Sequence, residues 1–259
     1  MIYLSVVSHG HIDIIKSLNS LPKLAKDKEV KVCVKDNLKD PALEQYCQDN
    51  DIDYVTSYEI MGFGENNNFV YDFYSGVIKD DDFFVVFNPD VDVSAEKLKI
   101  ATNIMLEQQA EIATINLYRD VEFLVPDNSI RYFPNVRDFF TSYFMGKNTT
   151  IINKGNIHEP QFVDWAAGSF LLFKSGFFHK LKGFNCKYFM YCEDVDICWR
   201  AYSLFSQKVL FIPSIKGLHY AQFNNRRFLS KHFFWHVKSA LIFLMYRYGL
   251  RKKTRSNIK

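Results

Sequence analysis

Phe83-Phe84-Val85-Val86-Phe87-Asn88-Pro89-Asp90-Val91-Asp92 is the stretch on which the reading of this chain turns. Five apolar residues without alternation read as a strand buried on both faces. The run stops at once in Asn-Pro-Asp-Val-Asp, which places carboxylates at the strand's C-terminal end. Upstream, Asp80-Asp81-Asp82 reads as a turn, and Gly62–Asn68 as a polar, Gly-rich turn opening a helix to about Ile78. Downstream, Ser94 caps a helix running toward Gln109, with Glu96 in its first turn. Further out, Ile2–Val7, Glu29–Val34 and Ile52–Thr56 read as strands. Helical spacing of Ile14, Ile15, Leu18 and Leu21 predicts a helix over His11–Leu21 ended by Pro22, and Pro41–Asn50 reads as another. Alternating strands and helices predict an α/β fold, a mostly parallel sheet with helices on both faces. In such sheets the ligand crevice lies beyond the C-terminal strand ends. Polar clusters stand at those ends: Ser8-His9, Asp36-Asn37 and Asn88 to Asp92.

The second half is less regular. Ile112–Leu117 reads as a strand, and Phe162–Phe173 as strand-like around Gly168. Ser175–Leu181 and Glu193–Phe205 read as helices, and Lys208–Ile212 as a strand stopped by Pro213. Tyr118 to Gln161 shows few clean periods and three prolines, the pattern of a binding loop or lid. Phe228–Tyr248 reads as an aromatic-rich helix.

With 259 residues, 48% of them hydrophobic, the chain is long enough for one large domain and too apolar for disorder. Its 25 Phe and 15 Tyr point to sugar stacking or membrane contact beyond ordinary packing. The net charge of +3 is unevenly placed. Eleven of the 32 Lys and Arg lie from Lys216 to Lys259, where no acidic residue occurs. The rest of the chain holds 21 basic against 29 acidic residues, a net of −8. A basic tail on an acidic body points to phosphates: anionic lipid, a pyrophosphate-linked substrate or nucleic acid. Nucleic acid is the weakest of these, because no nucleic-acid-binding motif is present. Five cysteines without a CxxC pair read as reduced, mostly buried thiols of a cytosolic protein. Neither a signal peptide nor an uninterrupted apolar run of roughly 18 residues is found.

Five constellations carry chemistry, each with a plainer alternative. Asn88 to Asp92 suits a hard divalent cation shared with substrate phosphates, or is an Asp-rich turn. Tyr191-Cys192-Glu193-Asp194-Val195-Asp196 puts three carboxylates at a helix start, where they serve as a base or as helix capping paired with Arg200. Trp165-Ala166-Ala167-Gly168-Ser169 lets a substrate approach the backbone under a stacking ring, or is core strand. His219 is a ligand if it meets Asp90 in space and a structural residue if it does not. Arg226, Arg227, Lys231, Lys238 and Arg247 interleave with Phe228, Phe233, Phe234, Trp235, Phe243 and Tyr246. That is the pattern of an interfacial membrane helix, or of a C-terminal helix packing its rings on the domain.

Taken in order, these motifs resemble family 2 glycosyltransferases with the Rossmann-like GT-A fold. Within that family they look like bacterial rhamnosyltransferases of O-antigen assembly that act on N-acetylglucosaminyl-diphosphoundecaprenol. The resemblance rests on Val6-Val7-Ser8-His9-Gly10, Lys35-Asp36-Asn37, Gly62 to Asn68, Asn88-Pro89-Asp90, Val163 to Phe170, Tyr188 to Asp196 and the His219-Tyr220-Ala221 tail. It covers nearly the whole chain. It implies a GT-A domain over residues 1–220 and a helical, basic-aromatic, membrane-associating extension over 221–259. Ser8, Asp36, Gly64, Asn68, Asn88 and Asp90 would bind the donor nucleotide. Asp90 and His219 would hold Mg²⁺ or Mn²⁺, with Asn88 standing where the family's Asp-x-Asp motif has its first Asp. Asp194 would be the catalytic base, Glu193 would position the acceptor, and Asp196 would be structural. Trp165, Gly168 and Arg226 would face the acceptor.

The function so implied is inverting transfer of L-rhamnose from dTDP-β-L-rhamnose to a lipid-diphosphate-linked N-acetylglucosamine. It would take place in the cytoplasm, peripherally on the inner face of the plasma membrane, against an anionic surface. Rival readings are a UDP-hexose or UDP-galactofuranose donor, a non-catalytic nucleotide-sugar-binding protein, and a membrane adaptor.

Overall fold

A computed structural model describes residues 1–220, 231–250, 254–256 and 258, without the side chains of Phe144 and Lys231. The chain runs β1 (Ile2–Ser8), α1 (Ile12–Leu18), α2 (Ser20–Ala25), β2 (Val30–Asp36), α3 (Pro41–Gln48), β3 (Asp53–Thr56), α4 (Phe63–Phe73) and β4 (Phe83–Phe87). It continues through β5 (Val91–Asp92), α5 (Ala95–Glu107), β6 (Ile112–Tyr118), β7 (Ile130–Arg131), α6 (Val136–Met145), β8 (Gln161–Val163), β9 (Trp165–Ala166) and β10 (Phe170–Lys174). The last elements are α7 (Ser175–Lys180), α8 (Glu193–Phe205), β11 (Val209–His219) and α9 (Lys231–Arg247).

Among the described residues one sheet has nine strands in the order β3-β2-β1-β4-β10-β6-β11-β5, with β8 also pairing β11, and β7 and β9 form a separate ribbon. The first four strands of the path are parallel, as the alternating N-terminal half predicts. The other half is mixed: β10 inserts antiparallel between β4 and β6, and β5 and β8 are antiparallel to β11.

Strand β4 shows why the sheet is buried on both faces. Phe83, Val85 and Phe87 join a core with α1, α2, α3 and α5 through Ile15, Leu24, Leu43 and Leu98. Phe84 and Val86 join a second core with α4, α7 and α8 through Tyr71, Phe178 and Ile197. The period of two thus sends alternate residues into two apolar layers. Each large side chain fully buried there contributes about 1.5–3 kcal/mol.

Three expectations from local signals give way. Pro22 does not end the first helix: Asn19, in the left-handed region, breaks it, and Pro22 sits in the first turn of α2, where a missing N–H costs nothing. The helix expected to follow Gly62–Asn68 already begins at Phe63, because Asn66 and Asn67 donate to backbone carbonyls of that first turn. Pro213 does not stop β11: pairing with β6 passes from Ile212 to Lys216 across a bulge that carries the proline. The long irregular stretch after Tyr118 also contains a helix, α6, opened by a capping box between Asn135 and Asp138. No described helix is long and apolar enough to cross a membrane.

Candidate active site

The site is organised by one backbone segment, Ala167–Ser169, between β9 and β10. The Asn88 N–H, just past β4, donates to Ser169 O at 3.0 Å. The Gly168 N–H donates to Asp194 Oδ2 at 3.1 Å. The Ala167 N–H donates to Ser129 O at 2.8 Å. Three polar regions of the sequence are tied to three consecutive residues. A Cβ at Gly168 would stand 2.9 Å from the Phe63 ring and 3.7 Å from Asp194 Cβ, so the segment needs glycine there to come this close.

On one side of the segment lie Asp90 and His219. Strand β11 pairs with β5, placing His219 opposite Val91. The His219 Nε2 stands 3.4 Å from Asp90 Oδ1, within ion-pair reach but beyond a normal hydrogen bond. Asp90 Oδ1 is buried and has no hydrogen-bond partner among the described residues. On the other ring edge, His219 Nδ1 is 2.8 Å from Asp127 Oδ2. Burial alone would lower the His219 pKa, but the hydrogen bond to Asp127 and the Asp90 carboxylate outweigh it and push it up to about 9. Burial likewise opposes ionisation of Asp127, yet His219, with Lys154 and Arg119 nearby, holds its pKa below the usual carboxylate value.

An orphaned carboxylate oxygen facing an imidazole nitrogen is a donor pair that suits a divalent cation completing its shell with phosphate and water. No group of three or more His, Cys, Asp or Glu placed to hold a metal occurs among the described residues. Among the described residues, Asp90 and His219 are the pair that would hold such an ion. Asp92 lies elsewhere, lining a separate cavity of about 490 Å³ with Ser20, Lys97 and Lys216.

On the other side lies the start of α8. Tyr191 and Cys192 both adopt left-handed backbone (φ 71° and 63°) immediately before Glu193. Non-glycine residues rarely do so, and among the described residues these two are the adjacent non-glycine pair in that region. Asp194 accepts from the Gly168 and Val195 N–H groups. Glu193 is buried, and its Oε2 has no hydrogen-bond partner among the described residues. Burial raises both carboxyl groups. Glu193 is raised well above its usual value by burial and then by Asp194, whereas the Gly168 and Val195 amides and Arg131 restrain the rise at Asp194. Of the two, Glu193 is raised the more strongly, and the amide hydrogen bonds favour charge on Asp194. Asp196 is separate: it is fully buried, 2.8 Å from Arg200 Nε and hydrogen-bonded by Tyr188, and is structural as expected.

Both carboxylates line a cavity of about 430 Å³ whose walls include Trp165, Arg131, Tyr143, Tyr191 and His236. The Trp165 indole N–H donates to Tyr132 O, and the Arg131 guanidinium stacks 5.4 Å from its ring centroid. Helix α9 supplies His232 and His236, which meet Tyr191 and Tyr143 respectively.

Several expected donor residues have other work. Asp36 is fully buried; its carboxylate accepts from the Leu38 and Asp40 N–H groups and the Tyr54 hydroxyl, which folds the loop after β2. The Asn68 amide bonds both the N–H and the carbonyl of Phe184, and Gly64 packs against the same Phe184. All three are buried in these contacts. Ser8, also buried, accepts from the His11 N–H. Arg226, with Arg227 and Phe228, lies outside the described residues. Sequence reasoning passed over Asp127, Arg131, Tyr143, His232 and His236. Asp127 looks like a turn residue after Pro126, and the two histidines read as part of a basic-aromatic tail.

No family model matches the chain. Solved structures show the fold. GalNAc-T7 with UDP, GalNAc and Mn²⁺ superposes with a TM-score of 0.66 at 11% identity, over 94% of this chain and 47% of that one. A mannosyltransferase from Pyrobaculum calidifontis with GDP-Man and Mn²⁺ gives 0.60 at 11% identity, over 98% and 65%. The fold is that of GT-A glycosyltransferases. Rhamnosyltransferase WbbL of Escherichia coli K12 is 38% identical over 261 residues, covering 99% of this chain and 96% of WbbL. N-acetylglucosaminyl-diphospho-decaprenol L-rhamnosyltransferase of Mycobacterium tuberculosis is 29% identical over 182 residues, 65% of this chain and 57% of that protein. The chain belongs to the rhamnosyltransferase family that includes WbbL.

Proposed function

We propose that the protein is a family 2 enzyme that transfers L-rhamnose, with inversion, from dTDP-β-L-rhamnose to a polyprenyl-diphosphate-linked N-acetylglucosamine. The observation that carries this reading is the Ala167–Ser169 bridge, which sets an Asp90–His219 pair and the Asp194 carboxylate on either side of one backbone segment. The near full-length likeness to WbbL and the acceptor in the name of the mycobacterial relative support the donor sugar and the acceptor class.

In this mechanism Asp194, whose charged form the Gly168 and Val195 amides favour, accepts the proton of the acceptor hydroxyl. The hydroxyl oxygen forms its bond to the anomeric carbon as the bond from that carbon to the diphosphate oxygen breaks. The electron pair leaves with dTDP, and a single displacement inverts the centre. Glu193, through its otherwise unpartnered Oε2, positions the acceptor by a hydrogen bond. Trp165 and Gly168 shape the acceptor side, and Ser8 and Asn88 flank the donor. Mg²⁺ or Mn²⁺ held by Asp90 and His219 would supply charge neutralisation at the diphosphate.

The acceptor's lipid places the reaction at a bilayer surface, on the cytoplasmic face. Phe234, Leu241 and Met245 are exposed along one face of α9 together with Lys238, Tyr248 is exposed just past its end, and Val136 and Phe140 are exposed on α6. That surface suits peripheral binding to anionic lipid.

The test is transfer to a synthetic N-acetylglucosaminyl-diphospho-lipid, with dTDP-rhamnose, UDP-galactose and UDP-galactofuranose compared and the product anomer read by NMR. An α-rhamnoside from the dTDP donor alone is expected. Turnover only with a UDP donor would replace the rhamnosyl reading, and a β-rhamnoside would exclude inversion.

A further inference from the structure

Asp127 lies in none of the motifs that define the site, on the loop between β6 and β7. Its Oδ2 stands 2.8 Å from His219 Nδ1. A carboxylate cannot donate, so the Nδ1–H donates and the second ring nitrogen keeps its lone pair whenever the ring is neutral. That nitrogen, Nε2, is the one 3.4 Å from the orphaned Asp90 Oδ1. Asp127 is itself held firmly. Its N–H donates to Leu117 O at 2.9 Å, and Arg119 Nε lies 3.5 Å from its Oδ1. The Arg119 N–H donates to Val125 O, and Lys154, buried beneath, donates to Leu117 O and Ser129 Oγ. Ser129 O in turn receives the Ala167 N–H of the bridging segment.

We propose that Asp127 is a positioning residue: it fixes the ring orientation and tautomer of His219 so that Nε2 and Asp90 Oδ1 act together as the protein's ligands to a divalent cation. This rests on the metal reading given above. The device matters here because Asn88 occupies the place of a second carboxylate. A site with two protein ligands depends heavily on their being aimed before the ion arrives, and an outer carboxylate on a ligating imidazole does this.

The test uses the full-length protein and Mn²⁺, with free Mn²⁺ read by electron paramagnetic resonance in the presence and absence of dTDP. Asp127→Ala is expected to weaken Mn²⁺ binding by about 10- to 100-fold. Metal-free dTDP binding should stay unchanged, which a merely structural lesion would not spare. Asp127→Asn, whose amide oxygen still accepts from Nδ1–H, should recover part of the loss. Equal Mn²⁺ affinity in wild type and Asp127→Ala overturns the proposal and leaves the metal reading standing. A wild type that binds no Mn²⁺ in either condition overturns both. Should Asp127→Ala not fold, the ¹⁵N shifts of the His219 ring in the wild type decide, assigned against His219→Gln at a pH above about 9, where the ring is neutral. Protonated Nδ1 and bare Nε2 are expected, and a protonated Nε2 overturns the proposal.

Discussion

The two sides of the Ala167–Ser169 bridge are built differently. The side with Asp90 and His219 stands on the ends of β4, β5 and β11, inside a continuous hydrogen-bonded sheet. Its groups are aimed by the pleat and locked by Asp127. The side with Asp194 stands on a helix start reached through two left-handed residues, walled by α6 and α9 and by aromatic rings. Sheet ends give precision to a small charged group, whereas helices and rings give a larger cavity whose shape follows side-chain packing. A nucleotide diphosphate, the same in every turnover, suits the first, and a bulky lipid-linked sugar suits the second.

Four perturbations sharpen or break this contrast. The largest effect is expected from Asp194→Asn, which should cut kcat by about 10²–10⁴-fold while leaving dTDP binding by calorimetry unchanged. Loss of nucleotide binding as well would show that the two sides are not separable. Arg200→Ala removes the partner of the buried Asp196 that anchors α8 and should cost about 3–5 kcal/mol in chemical denaturation. A wild-type denaturation midpoint would mean that the helix start is held by other contacts.

The third concerns pH. The folded pKa of His219, about 9, lies above its unfolded value, so its stabilisation is full below about pH 6.5 and is lost as pH rises through about 9. Metal-free protein should lose about 3 kcal/mol across that window, and His219→Gln should flatten the change. A wild-type profile equally flat would remove the charged His219 from the sheet-end side. The smallest effect is expected at the outer face of α9. Phe234→Ser with Leu241→Ser should weaken sedimentation with anionic vesicles by about tenfold or more, without altering turnover on a short-chain acceptor. Unchanged vesicle binding would leave that helix as a cavity wall only.

The sheet-end side was the more legible in sequence. The unbroken apolar run Phe83–Phe87 matches β4 to the residue; on the other side only the acid-led helical period Glu193–Phe205 is matched as closely, by α8. His219 and Asp90, far apart in the sequence, come within 3.4 Å of one another because β11 pairs with β5. The acceptor side was harder: α6 lay hidden in a stretch judged irregular, and His232 and His236 carried no signal of a cavity. The burial of Asp36 and Asn68 and their hydrogen bonds to nearby backbone carried no signal in the sequence, because they depend on contacts with Tyr54 and Phe184.

The sequence by itself determined the alternation of strands and helices, the two-sided burial of the central strand, and the polar residues gathered at strand ends and at the start of α8. Each follows from side-chain periodicity over a few residues. Only the tertiary structure decided that β10 enters antiparallel, that β11 runs past its proline, and that Asp127 stands behind His219. Those contacts join residues tens of positions apart, and loop closure and packing across the whole sheet select them where no local propensity can.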